Sequence, residues 1–282
     1  MSGDGKQKTV RPAGGDRPPG GARLVLSAER HALLLRVLRQ NRFASVGELS
    51  GIARSSEATI RRDLGRLEES GLVRRVRGGA ELAVEQETEG KPDELPFEYR
   101  KGIQLENKRL IARAAAALCA DGETVMIDGG STTYQMTEFL RDLRLQVITN
   151  SFAIAHELAR GSRCTVILSG GVVHPDSQLV LDPFVEDMFA NYTASRLFMG
   201  VYGIDETGAT NTESLLIKTE RAMIERARTL VVLADSSKFD RRGSLLLCGF
   251  EKINVLITDP GIDARHRELL LSRGVQVIVA EG

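Results

Sequence analysis

"SSEATIRRDLGRLEESGLVRRVRGGA", residues 55–80, decides how the front of this chain is read. Ser56 stands where an N-cap would, and Ile60, Leu64 and Leu67 follow at i, i+4 and i+7, so a helix with one buried stripe is expected. Ser56, Glu57, Thr59, Arg61 and Arg62 fall off that stripe, near the N-terminal end of the helix. Gly71 ends it as a C′ residue would. Val73, Arg74, Arg75 and Val76 then run into Arg77-Gly78-Gly79, the pattern of a β-hairpin with a basic tip. Upstream, "SAERHALLLRVLRQN" (27–41) predicts a helix capped by Ser27, with Leu34, Val37 and Leu38 at helical spacing. "SVGELSGIA" (45–53) predicts a second, short helix carrying Val46, Leu49 and Ile52 on one face. Helix, turn, helix and basic hairpin in this order make a winged helix-turn-helix, which inserts the N-terminal end of its third helix into the major groove of double-stranded DNA. An arginine-rich helical hairpin for protein contacts is the alternative.

The charge distribution agrees. The chain of 282 residues has no net charge, yet residues 21–80 hold 12 Arg, no Lys and 6 acidic residues, a balance of +6. Residues 1–20 add +2, which leaves residues 81–282 at −8. Such a contrast directs nucleic acid to the first part and away from the second. Charge alone would fit a merely solvated face equally well.

Residues 1–22 are rich in Gly and Pro with no apolar core of a signal peptide, so a disordered tail is expected there, with the DNA-binding domain over 23–81. The apolar runs are too short to span a bilayer. Cys119, Cys164 and Cys248 are widely spaced and odd in number, which suits buried free thiols in a cytoplasmic protein. Residues 82–106, polar and interrupted by Pro92 and Pro96, are expected to be a linker whose end is anchored by Leu95, Phe97 and Tyr99.

From residue 107 to 282, short apolar strands ("TVMID", "LQVITN", "TVILSG", "LFMGVYGI", "TLVVLAD", "INVLITD", "VQVIVA") alternate with amphipathic helices, among them 133–142. That alternation predicts a Rossmann-like α/β domain with a mainly parallel sheet. Ligands of such sheets bind beyond the carboxyl ends of the strands. Polar or glycine motifs fall at five such ends: Asp128 to Thr133, Asn150-Ser151, Ser169-Gly170-Gly171, Gly203 to Asp205, and Asp235 to Lys238. In "MIDGGSTTYQM" (126–136), Gly129 and Gly130 let backbone approach an anion, and Ser131, Thr132 and Thr133 supply hydroxyls at an expected helix start. The candidate effector-binding residues at these ends are Asp128, Gly129, Gly130, Ser131, Thr132, Thr133, Asn150, Gly170, Gly171, Gly203, Asp235 and Lys238, with Lys218 as a further cation. No nucleotide fingerprint and no metal-binding His or Cys cluster occurs, so neither cofactor nor metal is expected.

Two stretches carry a resemblance. "S-E-x-T-I-R-R-D-L" and "G-L-x-R-R-x-x-G-G-A" resemble the winged helix of the DeoR family of bacterial transcriptional regulators. "D-x-G-[ST]-T-T", "T-N-S", "G-G", "G-I-D" and "A-D-S-S-K-F", in that order, resemble the family's sensor domain, a fold similar to ribose-5-phosphate isomerase. The resemblance implies DNA contacts from Ser56, Thr59, Arg61 and Arg62, with Arg74, Arg75 and Arg77 on the backbone. It also implies a phosphate site at Gly129 to Thr133, with Asp235, Lys238 and Lys108 in the inducer response. The expected function is then a repressor of a carbohydrate-catabolic operon, released from DNA by a phosphorylated sugar and acting as a homo-oligomer. A sugar-phosphate isomerase using Asp205, Asp235, Lys218 and Lys238 is the enzymatic alternative. Three positions depart from the family pattern. Arg54 replaces a Gly before the recognition helix, Tyr202 an Asp, and Asp182 a Gly; if the turn at Arg54 needs φ > 0, Arg costs about 1 kcal/mol there.

Overall fold

A computed structural model describes residues 30–31, 33–38, 41, 43–69, 72–82, 95–182 and 188–282. Ser27, Gly71 and the 1–22 tail lie outside these residues. The chain divides into two compact units, Met1–Glu81 and Leu82–Gly282.

In the first unit, the helical residues within 30–38 (α1) bury Leu34, Leu35 and Leu38. α2 (Val46–Ile52) packs against α3 (Glu57–Glu69), and their Leu49, Ile60, Leu64 and Leu67 are essentially inaccessible to solvent. Each such side chain contributes about 1.5–3 kcal/mol of transfer free energy. A capping box starts α2: the Ser45 amide donates to Glu48 Oε2 at 2.8 Å and the Glu48 amide to Ser45 Oγ at 3.2 Å. Ser56 caps α3 through the Thr59 amide, which donates to Ser56 Oγ at 3.3 Å. The hairpin of β2 (Val73–Val76) and β3 (Gly79–Leu82) turns at Arg77-Gly78, where Gly78 has φ +85. A third strand, β1 (Phe43–Ser45), pairs antiparallel with β3, giving the order β1-β3-β2. Nothing in three residues, "FAS", marks that strand.

Arg54 has φ +46. The turn does require the left-handed region, and an L-residue occupies it at a cost of about 1–2 kcal/mol.

In the second unit, seven parallel strands run in the order β15-β14-β12-β9-β4-β5-β6. They are β4 (Thr124–Ile127), β5 (Gln146–Thr149), β6 (Thr165–Leu168), β9 (Arg196–Gly200), β12 (Leu230–Leu233), β14 (Val255–Thr258) and β15 (Gln276–Val279). Both faces are covered, so central strands such as "LVVL" are buried at every position and carry no alternation. Helices α5 (Leu105–Ala116), α6 (Met136–Phe139) and α7 (Phe152–Ala159) share one core with Val125, Val147 and Phe198. Helices α8 (Ser214–Arg226) and α9 (Ala264–Ser272) share the other with Met126, Met199 and Val232.

Three expectations need correction. "LFMGVYGI" is not one strand: β9 ends at Gly200, whose amide donates to Asp128 Oδ2 at 2.8 Å, and β10 (Gly203–Asp205) belongs to a separate sheet with β11 (Gly208–Asn211) and β13 (Leu245–Cys248). The helix expected over 133–142 is a 3-10 turn, Thr133–Gln135, followed by the four residues of α6. The segment read as linker is folded from residue 95 onward. Its short helix α4 (Phe97–Arg100) buries Phe97 edge-on against Tyr134, with ring centroids 5.4 Å apart, and the Phe97 amide donates to Asp176 O at 2.6 Å. A hairpin of β7 (Val172–His174) and β8 (Leu179–Leu181) lies over the ends of β4 and β5.

Candidate functional site

The first unit presents its arginines on two adjoining features. At the start of α3, Glu57, Arg61 and Arg62 are exposed, and Arg61 Nη2 lies 2.7 Å from Glu57 Oε2 across one helical turn. Ser56 Oγ and Thr59 Oγ1 are 2.9 Å apart, so these hydroxyls are tied to the cap. On the wing, Arg74, Arg75 and Arg77 are exposed; Arg74 pairs with Glu81, and the Arg75 amide donates to Glu68 Oε1 at 2.9 Å. Exposed pairs of this kind are worth about 0–1 kcal/mol, so exchanging a carboxylate for a DNA phosphate costs little. Asp63, in the "RRDL" turn, has a different role. It is 1% exposed and accepts from Arg30 Nε at 2.5 Å and His31 Nε2 at 2.9 Å, fastening α1 to α3. Burial works to raise its pKa, but the His31 and Arg30 hydrogen bonds outweigh this and hold it below the usual carboxylate value.

In the second unit, a cavity of 410 Å³ opens beyond the carboxyl ends of β4 and β9. Its floor is Asp128, Gly129, Gly130, Ser131 and Thr132, and Gly200 to Tyr202 form the next wall. Gly129 is required by packing: a Cβ there would sit 1.8 Å from Leu179 Cδ2 of the overlying hairpin. Thr133 does not line the cavity. It is fully buried, and its Oγ1 donates to Asp128 O at 3.0 Å and Gly130 O at 2.9 Å, which fixes the shape of the loop. Asp128 fixes it from the other side, accepting the Gly130 amide at 3.0 Å and the Gly200 amide. The loop is therefore not a bare nest of amides, since the Gly130 N–H of the loop and the Gly200 N–H beside it already serve a carboxylate.

Cations come from elsewhere. Arg100, at the end of α4, and Lys238, in the 3-10 turn Ser236–Lys238, both line the cavity. Both also border a small adjoining hollow that Lys108, Asp235, Ser237 and Arg241 complete. Lys108 is 4% exposed and its Nζ donates to Arg100 O at 2.6 Å. Asp235 accepts the Ser237 amide at 3.1 Å, and Asp259 accepts the Ser236 amide at 2.6 Å, so the Lys238 turn is held by two carboxylates.

The lining also has an acidic and amide-bearing part: Asn211, Glu213 and Glu220. Asn211 Nδ2 donates to both Glu220 oxygens, at 3.2 and 3.0 Å. Burial pushes the Asp128 carboxyl up to about 6, opposed by hydrogen bonds from Thr133, Gly130 and Gly200 and by the nearby Arg100. Burial drives Glu220 well above the ordinary range, and the neighbouring Asp128 adds to it. A carboxyl held toward its protonated form can donate a hydrogen bond to a ligand hydroxyl as well as accept one.

Other residues singled out in the sequence lie apart. Asn150 is fully buried beneath the hairpin, outside the cavity, with neither side-chain polar atom hydrogen-bonded. Gly171 (φ +132) shapes the start of β7, next to Gly170, and Gly203 packs against Arg241 O. Lys218 is exposed on α8, and Asp205 accepts from Thr207 at the turn between β10 and β11. Asp205, Asp235, Lys218 and Lys238 thus do not converge. Tyr202 lines the cavity with the Arg241 guanidinium 4.6 Å from its ring centroid, whereas Asp182 is not among the lining residues. Sequence reasoning missed Arg100, Asn211, Glu213 and Glu220. Glu220 had a signal: it sits on the buried stripe of α8 with Ile217, Met223 and Ile224. Among the described residues no cluster of three or more potential metal ligands occurs, and no helix is long and apolar enough to cross a membrane.

Comparison with known proteins matches residues 30–86 to the DeoR-like helix-turn-helix domain and residues 103–260 to the DeoR C terminal sensor domain. Relatives include the uncharacterized HTH-type transcriptional regulator YulB of Bacillus subtilis, 31% identical over 90% of this chain and 96% of that one. UlaR, an HTH-type transcriptional regulator of Shigella dysenteriae, is also 31% identical, over 90% and 99% of the two chains. A putative aga operon transcriptional repressor of Escherichia coli O157:H7 is 30% identical over 92% and 96%. Among solved structures, ribose 5-phosphate isomerase A of Methanocaldococcus jannaschii is 18% identical, with a TM-score of 0.36 over 48% of this chain and 55% of that one. Both domain matches, in this order along one chain, show that it belongs to the DeoR family of helix-turn-helix transcriptional regulators.

Proposed function

We propose that this regulator represses a carbohydrate-utilisation operon and is released from its DNA operator when a phosphorylated sugar occupies the α/β unit. The observation that carries this reading is the mixed lining of the cavity. It joins a close-packed glycine loop and two hydroxyls to Arg100 and Lys238, a set suited to a phosphate. It also offers Asn211, Glu213 and Glu220, suited to sugar hydroxyls. A volume of 410 Å³ accommodates a sugar monophosphate. The aga relative, described as an operon repressor, supports the sign of the control. DNA is held by the α3 arginines and the wing, and two copies pair on a repeated or palindromic site. Release needs no turnover, only a ligand that binds the DNA-free arrangement more tightly than the DNA-bound one.

Calorimetry with a panel of sugars and their phosphates tests the cavity. The expected result is binding of phosphorylated forms only, weakened at least tenfold in Thr132→Ala. Equal heats from phosphorylated and unphosphorylated sugars would overturn the assignment.

A further inference from the structure

Arg100 belongs to a stretch that reads as linker, yet its side chain lines the cavity beside the glycine loop. It is close enough to Asp128 to act on that carboxyl electrostatically. The loop alone is a poor anion site. Its following helix is a 3-10 turn and four α-helical residues, too short for a strong dipole, and the Gly130 and Gly200 amides serve Asp128. Asp128 also brings a partial negative charge into the cradle. An anion seated there therefore needs the cations at its rim, and these are Arg100 and Lys238.

The two cations are mounted differently. Lys238 sits on a turn locked into the sheet ends by Asp235 and Asp259. Arg100 ends a strap, residues 95–100, whose Leu95 and Pro96 also line the cavity. The strap is fastened at both of its ends. Arg100 Nε donates to Leu95 O at 3.0 Å, the Phe97 amide to Asp176 O, and Lys108 Nζ to Arg100 O. Asp176 is itself a lining residue, at the turn of the β7–β8 hairpin. Three cavity-lining residues thus lie near the start of the second unit, on the side of the chain that leads back to the DNA-binding unit.

We propose that Arg100 binds the phosphate of the effector, and that the 95–100 strap is the element through which occupancy of the cavity is passed to the DNA-binding unit. This rests on the sugar-phosphate reading above and adds to it a residue and a route. A guanidinium binding two phosphate oxygens replaces any looser contact with a fixed geometry. A bound phosphate then adds a bond between the strap and the cavity rim that is absent without ligand, and differential contact of this kind is what a two-state switch requires.

The test uses the full chain and two probes, inorganic phosphate and the sugar-phosphate panel. Calorimetry of Arg100→Gln should show at least a tenfold loss of affinity for the phosphorylated ligand, with part of it recovered in Arg100→Lys. Hydrogen exchange of a peptide covering 95–103 should slow at least threefold when wild type is saturated and should not slow in Arg100→Gln. Unchanged affinity in Arg100→Gln overturns the phosphate contact, and ligand binding without slower exchange in the strap overturns the route. If wild type binds neither probe, the sugar-phosphate reading falls and this inference falls with it. Binding by wild type that is indifferent to Arg100 refutes only the inference. Should Arg100→Gln misfold, Arg100→Lys alone decides: a two-oxygen contact requires weaker binding than wild type, and equality refutes it.

Discussion

Replacing Arg54 by glycine should stabilise the DNA-binding unit. The residue has φ +46, where an L-side chain costs about 1–2 kcal/mol and glycine costs almost nothing. Glycine has more freedom to lose on folding, which returns about 0.5–1 kcal/mol. The net gain is about 0.5–1 kcal/mol, a two- to fivefold shift in the opening equilibrium. Hydrogen exchange of peptides covering α2 and α3 measures that equilibrium directly in the full chain, and these peptides should exchange about two- to fivefold more slowly in Arg54→Gly. Arg54→Ala separates backbone from charge, because it keeps the positive-φ cost and removes only the guanidinium. It should exchange like wild type. Equal slowing in both variants, or none in Arg54→Gly, would refute the backbone argument. An affinity loss for DNA in both would show instead that Arg54 is kept in the turn for its charge.

Asp63→Asn should destabilise the same unit by about 3 kcal/mol, since it removes one member of a buried ion pair with Arg30 and His31, and urea unfolding of the full chain would register it. Because the Asp63 pKa is lowered on folding, its contribution is present above about pH 4 and lost as pH falls through the folded value, a loss that Asp63→Asn should lack. Gly129→Ala drives a methyl into Leu179 Cδ2, so the β7–β8 hairpin must move; a cost of about 1–3 kcal/mol and loss of sugar-phosphate binding are expected by thermal unfolding and calorimetry. Asp128 titrates in the opposite sense to Asp63. With a folded pKa of about 6, its stabilising protonated form is fully present below about pH 4 and lost as pH rises through about 6. The decline in stability of the second unit over that window, about 3 kcal/mol at most, should be missing from Asp128→Asn in urea titrations.

What the sequence made legible follows from how each feature is encoded. The α3 stripe of Ile60, Leu64 and Leu67 and the Val73–Gly79 hairpin are local patterns, and both stand where periodicity put them. The parallel sheet was legible for the same reason, through runs such as "LVVL". β1 was not, because its three residues become a strand only by pairing with β3. "LFMGVYGI" hid a break that the Asp128 carboxylate makes by taking the Gly200 amide 72 residues away. Half of the cavity was legible, since the glycine loop is contiguous. The other half was not: Arg100 stood in a stretch dismissed for its prolines and glutamates, and Asn211, Glu213 and Glu220 reach the site only through the β11–α8 connection. Lys218, exposed on α8, and Gly203, packed against Arg241 O, show the converse: residues of suggestive type that lie outside the cavity.

On the proposed function, one chain reads DNA and a phosphorylated sugar in opposition. A gel-shift titration on the promoter of its own gene cluster, with the sugar-phosphate panel added to the preformed complex, measures this most directly. One phosphorylated sugar should release wild-type protein and its unphosphorylated form should not, and Arg61→Ala with Arg62→Ala should weaken DNA binding and flatten its dependence on salt. Retention of the complex with every phosphorylated sugar, or release by sugars regardless of phosphate, would contradict it.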